Sequence, residues 1–340
     1  MSNYILTNEN AIYYECNYSC DNVIFIKLGN ESFFITDARY TVEAKEKVIN
    51  TEVIQSSDLI KSAKELLTKE KIKEIIFDGN DFTYNKFNSL SEDLDINFTN
   101  HINFSHLKRV IKTDEEIALL KKAAKIGREG FERLAKYINK KGLNKKETLL
   151  YFKAIEAYRN KGDYELSFDP IIAINENAAK PHALPTNKKL QKDDLLLVDA
   201  GVKYKRYCSD RTCTASFGKE LSFSRKQKFK SKKQQKIYDL VYKAQLNAIE
   251  NAKVGMKAKE IDMLTRSVIE KAGYGKYFIH STGHGVGLDI HEHPYINSKS
   301  DVIIEDNMVF TIEPGIYLPN EFGVRIEDTI VMKNGKAQIL

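Results

Sequence analysis

Hydrophobic and polar residues follow different patterns along this chain, and the pattern changes near residue 105 and again near residue 167. In the first region, the stretches NVIFIKLG and ESFFITDARY predict a β-hairpin around Gly29-Asn30. The amphipathic stretch DLIKSAKELLTKEKI predicts a helix, and EIIFDG predicts a buried strand. Helices and strands mixed in this way indicate a small α/β unit, in which we find no catalytic constellation of residues.

A long helix is predicted directly after this unit. Thr113 can cap its first turn, and Glu116 three residues later completes a capping box. Apolar residues recur at three-four spacing from Ile117 to Ile138, so one face of the helix is expected to pack on a core. We therefore place a domain boundary near residues 105–112, which gives domains 1–108 and 109–340.

The second region combines helices with strands. A second helix is predicted within residues 144–162, and a further helical pair lies within residues 235–273. Strand and hairpin patterns begin at Ser167 and return after the helical pair. A helix–helix–hairpin order thus occurs twice in succession, which favours an α+β class for this domain.

Composition limits the broad class of protein. The chain has 340 residues, of which 42% are hydrophobic, and this is enough for two domains with sizeable cores. No apolar run approaches the roughly 18 residues that span a membrane, and the N-terminus does not resemble a signal peptide. The four cysteines form no CxxC pair, which indicates free thiols. We expect a cytoplasmic protein without a membrane partner.

The net charge of +6 is concentrated in one segment. Residues 225–236, RKQKFKSKKQQK, carry seven basic residues and no acid, and the rest of the chain is nearly neutral. A solvated loop or helix start is one interpretation of this basic run. A patch for nucleic acid or an acidic partner is the other, although its single aromatic residue, Phe229, does not indicate a base-stacking surface.

Two acidic pairs are candidates for chemistry. A hairpin turn centred between Tyr204 and Lys205 would place Asp199 directly opposite Asp210 on adjacent strands. Glu313 and Glu327 each follow an apolar, strand-like run. A glutamate within such a strand is costly unless it is paired or bound to a metal.

The stretch IHSTGHGVGLDIHEHP holds four of the seven histidines. Four carboxylates combined with one imidazole form an oxygen-rich set that suits divalent ions such as Mn²⁺, Co²⁺ or Fe²⁺ rather than a thiolate zinc site. Two such ions about 3.5–4 Å apart can lower the pKa of a shared water and supply hydroxide for hydrolysis.

Five separated motifs follow one another along the second region. They are PHALPTNKKLQKDDLLLVDAG, YCSDRTCT, HSTGHGVGLDIHEHP, FTIEPGIY and RIEDT. In this order and with these gaps they resemble the pita-bread metallopeptidase family, and within it the Xaa-Pro peptidases aminopeptidase P and prolidase. The resemblance implies a catalytic domain with a curved antiparallel sheet and flanking helices, preceded by the small α/β domain of the creatinase/prolidase type.

The resemblance also implies which residues act. Two divalent ions per subunit would be bound, Mn²⁺ being favoured over Co²⁺, Zn²⁺ or Fe²⁺. The five implied metal ligands are Asp199, Asp210, His284, Glu313 and Glu327. By the family pattern, the second aspartate and the last glutamate bridge both ions, the first aspartate binds one ion, and the histidine and the other glutamate bind the second.

Further roles follow from the same resemblance. Glu313 would also shuttle a proton, while His182 and His291 would act near the scissile bond and stabilise the tetrahedral intermediate. His280 and Arg325 complete the implied substrate-binding set, and Arg325 is also expected to form a salt bridge to a ligand carboxylate. The expected activity is hydrolysis, by a metal-bridged hydroxide, of the bond before a proline in short peptides, in a homodimer.

Three other kinds of protein share part of this pattern. A methionine aminopeptidase shares the metal site but lacks the additional N-terminal domain, and creatinase lacks the metal carboxylates. A non-enzymatic relative could bind nucleic acid or protein through the basic run, but such relatives lose metal ligands and this chain keeps all five. One departure from the usual S-D-hydrophobic-T-R-T pattern is the SDRTCT segment, in which Arg211 and Cys213 occupy the unusual positions.

Overall fold

The predicted hairpin is present in the computed structural model, which describes residues 3–340. Strands β2 (Val23–Leu28) and β3 (Glu31–Thr36) pair antiparallel, with Leu28 opposite Glu31. Gly29 lies between them at a φ of +55°, a left-handed conformation that glycine adopts without steric cost. The hairpin belongs to the first of two units, which ends at Arg109.

A six-stranded mixed sheet with the order β4-β3-β2-β1-β5-β6 forms the centre of this first unit. Its other strands are β1 (Tyr4–Leu6), β4 (Glu52–Gln55), β5 (Glu74–Phe77) and β6 (Asn97–Asn100). Its helices are α1 (Glu9–Cys16), α2 (Thr41–Lys47), α3 (Leu59–Lys69), α4 (Tyr84–Ser91) and α5 (Phe104–Lys108). Apolar side chains of the strands pack against α3 on one side of the sheet and α1 on the other, as expected for an α/β unit.

The second unit comprises Val110–Leu340 and begins with the predicted capping box. Thr113 accepts a hydrogen bond from the Glu116 amide, and Glu116 accepts one from the Thr113 amide. Helix α6 (Asp114–Lys141) follows and buries the predicted apolar face. The other helices of this unit are α7 (Glu147–Arg159), α8 (Lys232–Asn251) and α9 (Ala258–Lys271).

The strands of the second unit form several antiparallel sheets. The strands before α8 are β7 (Glu165–Leu166), β8 (Ile171–Ile174), β9 (Leu195–Asp199), β10 (Val202–Tyr204), β11 (Tyr207–Cys208) and β12 (Thr212–Ser216). The strands after α9 are β13 (Gly283–Gly285), β14 (Glu292–Ile296), β15 (Val309–Ile312), β16 (Gly315–Leu318), β17 (Phe322–Arg325), β18 (Asp328–Lys333) and β19 (Lys336–Ile339).

Two of these sheets matter for the site. One has the order β12-β9-β8, and the other has the order β14-β13-β15-β18-β19. Helices α6 and α7 pack against the first sheet, and α8 and α9 pack against the second. Helices therefore flank antiparallel sheets, as the sequence indicated. None of the helices within residues 3–340 combines the length and the apolar composition that crossing a membrane requires.

Candidate active site

One cavity of about 670 Å³ in the second unit is lined by every candidate site residue of the sequence analysis. These residues are His182, Asp199, Asp210, His280, His284, His291, Glu313, Arg325 and Glu327. They come from loops and strands as much as 145 positions apart in the sequence, so the fold alone brings them together.

The hairpin that carries the two aspartates has a different register from the predicted one. Its turn is centred between Lys205 and Arg206, one residue later than expected, because both residues adopt positive φ values of 47° and 68°. Thr212 therefore lies opposite Asp199, and the prediction that Asp210 would lie there is wrong. Asp199 ends β9 and Asp210 precedes β12 by two positions, so both still lie at the same end of the sheet.

A compact group of ligand-type side chains lies in the cavity. Asp210, His284 and Glu327 each present one ligand atom within 4.8 Å of the others. The Nε2 atom of His284 lies 3.6 Å from Asp210 Oδ2 and 3.4 Å from Glu313 Oε1. Thr212 donates a hydrogen bond of 2.7 Å to Glu327 Oε2, which fixes the orientation of that carboxylate.

The backbone around His284 passes close to its neighbours on both sides. A Cβ atom at Gly283 would lie 1.9 Å from the carbonyl oxygen of Thr311, and one at Gly285 would lie 2.2 Å from that of His293. No larger residue fits at either position without displacing backbone. These two glycines therefore allow β13 to carry His284 into the middle of its sheet.

The tautomer of His284 leaves its ligand nitrogen unprotonated. The Nδ1 atom lies 3.1 Å from the carbonyl oxygen of Gly285, which can only accept, so Nδ1 carries the proton. Burial, together with the charge of His291, lowers the pKa of His284 to about 4. The ring is therefore neutral near pH 7, and Nε2 offers a lone pair to a cation between the carboxylates.

The surroundings of the cavity do not balance the negative charge that its carboxyl groups would carry if all were ionised. Burial, together with the charge of Asp199, raises the pKa of Asp210 well above its usual range. Burial also raises the pKa of Glu327 in the same way, and it raises that of Glu313 to about 8 against the opposing charge of Arg325. The Oδ1 atom of Asp199 is buried and accepts no hydrogen bond from the described residues. Divalent cations would fit this site, because it combines closely spaced carboxylates, the unpaired Asp199 Oδ1 atom and the neutral imidazole of His284.

Each of the three guanidinium nitrogens of Arg325 donates a hydrogen bond to the protein. Its Nη2 atom donates a hydrogen bond of 2.6 Å to Asp199, and its Nε atom donates one of 3.0 Å to Thr212 Oγ1. Its Nη1 atom donates to the hydroxyl of Tyr317 at 2.9 Å and to the carbonyl oxygen of Pro181 at 3.1 Å. The guanidinium thus holds Asp199 in place and ties the segment before His182 to the site.

A hydrogen-bond chain continues from Arg325 to His280. The Tyr317 hydroxyl lies 2.8 Å from His280 Nε2, and His280 Nδ1 lies 2.8 Å from the carbonyl oxygen of Ser281. Since that carbonyl can only accept, Nδ1 carries the proton and the tyrosine donates to Nε2. Burial, together with the charge of Arg325, lowers the pKa of His280 to about 3, so its ring is neutral. Sequence reasoning assigned no role to Tyr317, although it lies in the quoted motif FTIEPGIY.

His182 and His291 are the solvent-facing histidines of the cavity. The ring of His291 lies 4.3 Å from that of His284, in an edge-to-face arrangement. His182 follows the carbonyl that Arg325 holds. Both imidazoles can therefore meet a molecule that enters the cavity, whereas the other two histidines are held by the protein.

Several cations of the basic run are already paired within the chain. Arg225 forms an ion pair with Asp328, Lys230 with Asp193, and Lys233 with Glu321. The run ends within the first turns of α8, as the helix-start interpretation expected. These contacts weaken the case for a dedicated nucleic-acid patch.

Comparisons with known proteins agree with this geometry. Residues 118–334 match the model of metallopeptidase family M24, and residues 1–113 match that of the creatinase/prolidase N-terminal domain. Uncharacterized peptidase YqhT of Bacillus subtilis is 35% identical over 98% of this chain and 92% of its own length. An Xaa-Pro dipeptidase of Pyrococcus furiosus is 40% identical over 68% of this chain and 63% of its own length.

Solved structures give the same picture. The Xaa-Pro dipeptidase of Bacillus anthracis superimposes with a TM-score of 0.91 at 33% identity, covering 99% of this chain and 92% of that one. The X-Pro aminopeptidase of Thermotoga maritima superimposes with a TM-score of 0.88 at 30% identity, covering 100% of this chain and 95% of that one. The fold of this chain is therefore shared with these proteins over nearly its whole length.

Proposed function

The chain belongs to metallopeptidase family M24, and from this premise we propose that it hydrolyses the peptide bond between an N-terminal residue and a following proline. One observation carries the proposal: four carboxylates and one neutral imidazole line a single cavity together with two solvent-facing histidines. The names of the relatives support the same substrate class, since they include Xaa-Pro dipeptidases and an X-Pro aminopeptidase. The methionine aminopeptidase and non-enzymatic alternatives receive no such support.

The family requires divalent metal ions, and we propose that this chain binds two, with Mn²⁺ as the favoured ion. The proposed ligands are Asp199, Asp210, His284, Glu313 and Glu327. When bound, the metal supplies a Lewis acid for the scissile carbonyl and a water acidified to act near neutral pH. Arg325 holds Asp199, and Thr212 holds Glu327, so that both carboxylates keep their orientation.

The residues of the chain then divide the remaining work. We propose that His182 and His291 donate N–H hydrogen bonds to the oxygen of the scissile carbonyl as negative charge develops there. Glu313, which accepts a hydrogen bond of 3.3 Å from Thr311, would take a proton at Oε and pass it to the leaving prolyl nitrogen. His280, whose ring nitrogens lie within hydrogen-bond distance of Tyr317 and the carbonyl oxygen of Ser281, would contact the substrate as part of the cavity wall rather than through a free ring nitrogen.

The preferred peptide length follows from the charges of the cavity. A dipeptide would bring its C-terminal carboxylate into the cavity, where a cation must receive it. Arg325 is the sole lysine or arginine among the lining residues, and its Nε, Nη1 and Nη2 atoms all donate to the protein. This favours longer Xaa-Pro-Yaa peptides, whereas the dipeptidase names of several relatives favour Xaa-Pro.

The decisive experiment offers both substrates to the purified, Mn²⁺-loaded protein, and the released residues are identified by mass spectrometry. We expect release of the first residue from an Xaa-Pro-Yaa peptide and none from the matched Xaa-Ala-Yaa peptide. Asp210→Ala should lower kcat by about 10³-fold, because it removes a proposed metal ligand that lies beside His284 and Glu327. Full metal-dependent activity in that variant would contradict the proposed site.

Three further features are proposed on the resemblance and the chain's own properties. The four cysteines are all free and buried, which supports a cytoplasmic location. Homodimer formation rests on the resemblance, and light scattering behind a sizing column tests it. We also propose 108/109 as the boundary for separating the domains; expression of residues 109–340 alone tests whether the catalytic domain folds independently.

A further inference from the structure

Arg225 differs from the other cations of the basic run because its side chain is turned into the protein. Only 18% of that side chain is exposed, whereas its neighbours Lys226 and Lys228 lie in solvent. Its own carbonyl accepts a hydrogen bond of 3.1 Å from the hydroxyl of the buried Tyr238 on α8. The residue is thus fixed at both ends, and the function described above has given it no role.

The guanidinium of Arg225 reaches the two segments that carry metal-ligand candidates. Its Nη2 atom donates a hydrogen bond of 2.8 Å to the carbonyl oxygen of Glu327 and also binds the carboxylate of Asp328. Its Nη1 atom lies 3.5 Å from the carbonyl oxygen of Thr212. Thr212 orients the Glu327 carboxylate, so Arg225 contacts the backbone on both sides of that hydrogen bond.

Asp328 explains why a cation is needed at this place. It begins β18 directly after Glu327, and its side chain is only 10% exposed. Arg211 Nε lies 3.3 Å away but forms no well-aligned hydrogen bond. Gln245 donates to the same Oδ2 atom at 3.2 Å. A buried carboxylate whose cation is removed is strongly destabilising, so Arg225 is the principal counter-charge at the base of Glu327.

We propose that Arg225 is a positioning residue for the metal site, which it serves by holding Glu327 and the start of β12 in register. The inference rests on the proposed function. The position of Cys213 supports this role of Arg225, because the Cys213 Sγ atom lies 4.0 Å from Arg225 Nη1. Position 213 is where the resembling motif usually carries an arginine. In this chain the guanidinium of Arg225, from the loop after β12, lies beside the side chain of residue 213 instead.

The test measures Mn²⁺ affinity by isothermal titration calorimetry at fixed pH and does not depend on catalysis. Arg225→Met should weaken binding by at least about 10-fold, as the loss of partners behind a metal ligand typically does. Lys226→Met, one residue away on the exposed side of the loop, is the matched control and should bind like the unmodified protein. Affinity within twofold of that protein in the Arg225→Met variant would overturn the proposal.

Two further variants keep the proposal testable if Arg225→Met fails to fold. Arg225→Lys keeps the charge but cannot contact both carbonyls and the carboxylate together, so a loss of about fivefold is expected; unchanged affinity would refute the role. Cys213→Arg combined with Arg225→Ala returns a guanidinium to the same space and should recover most of the affinity. No recovery relative to Arg225→Ala alone would count against the proposal.

These measurements separate the inference from the proposed function. If the unmodified protein binds Mn²⁺ but cleaves no Xaa-Pro peptide, the substrate proposal fails, and the affinities of the Arg225 variants still decide the positioning role. If the protein cleaves Xaa-Pro peptides and Arg225→Met changes neither Mn²⁺ affinity nor the Co²⁺ absorption spectrum of the site, the positioning role fails alone.

Discussion

The second unit holds two histidine-bearing segments by different means. In the first half of this unit, which precedes α8, Glu147 on α7 is fully buried. Its carboxylate accepts hydrogen bonds from the amides of Ile174 and Thr186 and from the side chain of Asn177. These donors enclose the loop that carries His182 on the cavity wall. Neutral groups of the loop therefore satisfy the carboxylate directly.

In the second half of this unit, from α8 onward, the corresponding buried acid is Asp262 on α9. It is linked to its loop mainly through an arginine, whereas Glu147 binds its loop directly. Arg266 donates to it through Nε at 2.8 Å and Nη2 at 2.9 Å, and then donates to the carbonyl oxygens of Phe278 and His280. Thr282 adds a hydrogen bond of 2.8 Å to Asp262. Both halves thus fix a loop beside the site with one buried acid, and removing the charge should cost more where an arginine depends on it.

The largest effect is expected from Asp262→Asn. The substitution leaves Arg266, whose side chain is 18% exposed, without its carboxylate, and we expect a loss of about 2–4 kcal/mol in the free energy of unfolding. Chemical denaturation measures this loss. Asp301→Asn is the control, since that carboxylate is 65% exposed and pairs only with surface lysines, so its substitution should leave stability nearly unchanged. Equal effects of the two substitutions would contradict a special role for the buried Asp262–Arg266 pair in the second half.

The metal should stabilise the protein more at higher pH. The pKa of Glu313 is raised to about 8, so between about pH 4.5 and 8 the metal-free folded state holds a proton that the unfolded state has lost. Stability of the metal-free protein therefore falls as pH rises through this window. Bound Mn²⁺ keeps the ligands ionised and should remove this loss.

The measurement is the difference in Tm between Mn²⁺-loaded and chelated protein at pH 6 and pH 8. The difference should be larger at pH 8, by a few degrees, because a smaller fraction of Glu313 then carries a proton that metal binding must displace. Asp210, from the first half, and Glu327, from the second, have pKa values shifted in the same direction and add to the trend. An identical difference at both pH values would contradict this coupling of the two halves.

The smallest effect is expected from Glu147→Gln. The Oε2 atom of Glu147 accepts from the Thr186 amide at 2.7 Å and from the Thr186 hydroxyl at 2.6 Å, while Oε1 accepts from Ile174. An amide group can present only one acceptor oxygen, so a loss of about 1–3 kcal/mol is expected. The kcat/KM for an Xaa-Pro-Yaa peptide should also fall, as the loop that carries His182 shifts.

Glu156→Gln is the matched control for this variant. It lies on the same helix with 49% of its side chain exposed, so stability and activity should both stay near those of the unmodified protein. If Glu147→Gln behaves like Glu156→Gln in both measurements, the buried acid of the first half does not hold the loop that carries His182.

Local signals in the sequence predicted local structure well. The capping box at Thr113, the hairpin at Gly29-Asn30 and the helical pairs are confirmed, since each depends on residues a few positions apart. The candidate site residues were found because five motifs carry them, and the fold gathers all of them around one cavity. The twofold order of helices and hairpins also corresponds to the two halves compared above.

What the sequence did not reveal depends on register and on distant contacts. A one-residue shift of the turn to Lys205-Arg206 moved Thr212 opposite Asp199, and neither residue belongs to the Asn-Gly type that would have fixed the turn in advance. Arg225 meets Asp328 across 103 positions, and no local pattern marks that contact. The same basic run suggested a surface patch because charge alone does not indicate which cation turns inward.

The number of Mn²⁺ ions bound per chain, measured by calorimetry together with elemental analysis of the dialysed protein, tests the proposed metal site itself. We expect two ions in the unmodified protein. In Asp210→Ala we expect weakened binding of both ions, because this aspartate from the first half lies close to His284 and Glu327 from the second. A protein that binds no Mn²⁺, or that binds two ions equally well after Asp210→Ala, would contradict one metal site built by both halves.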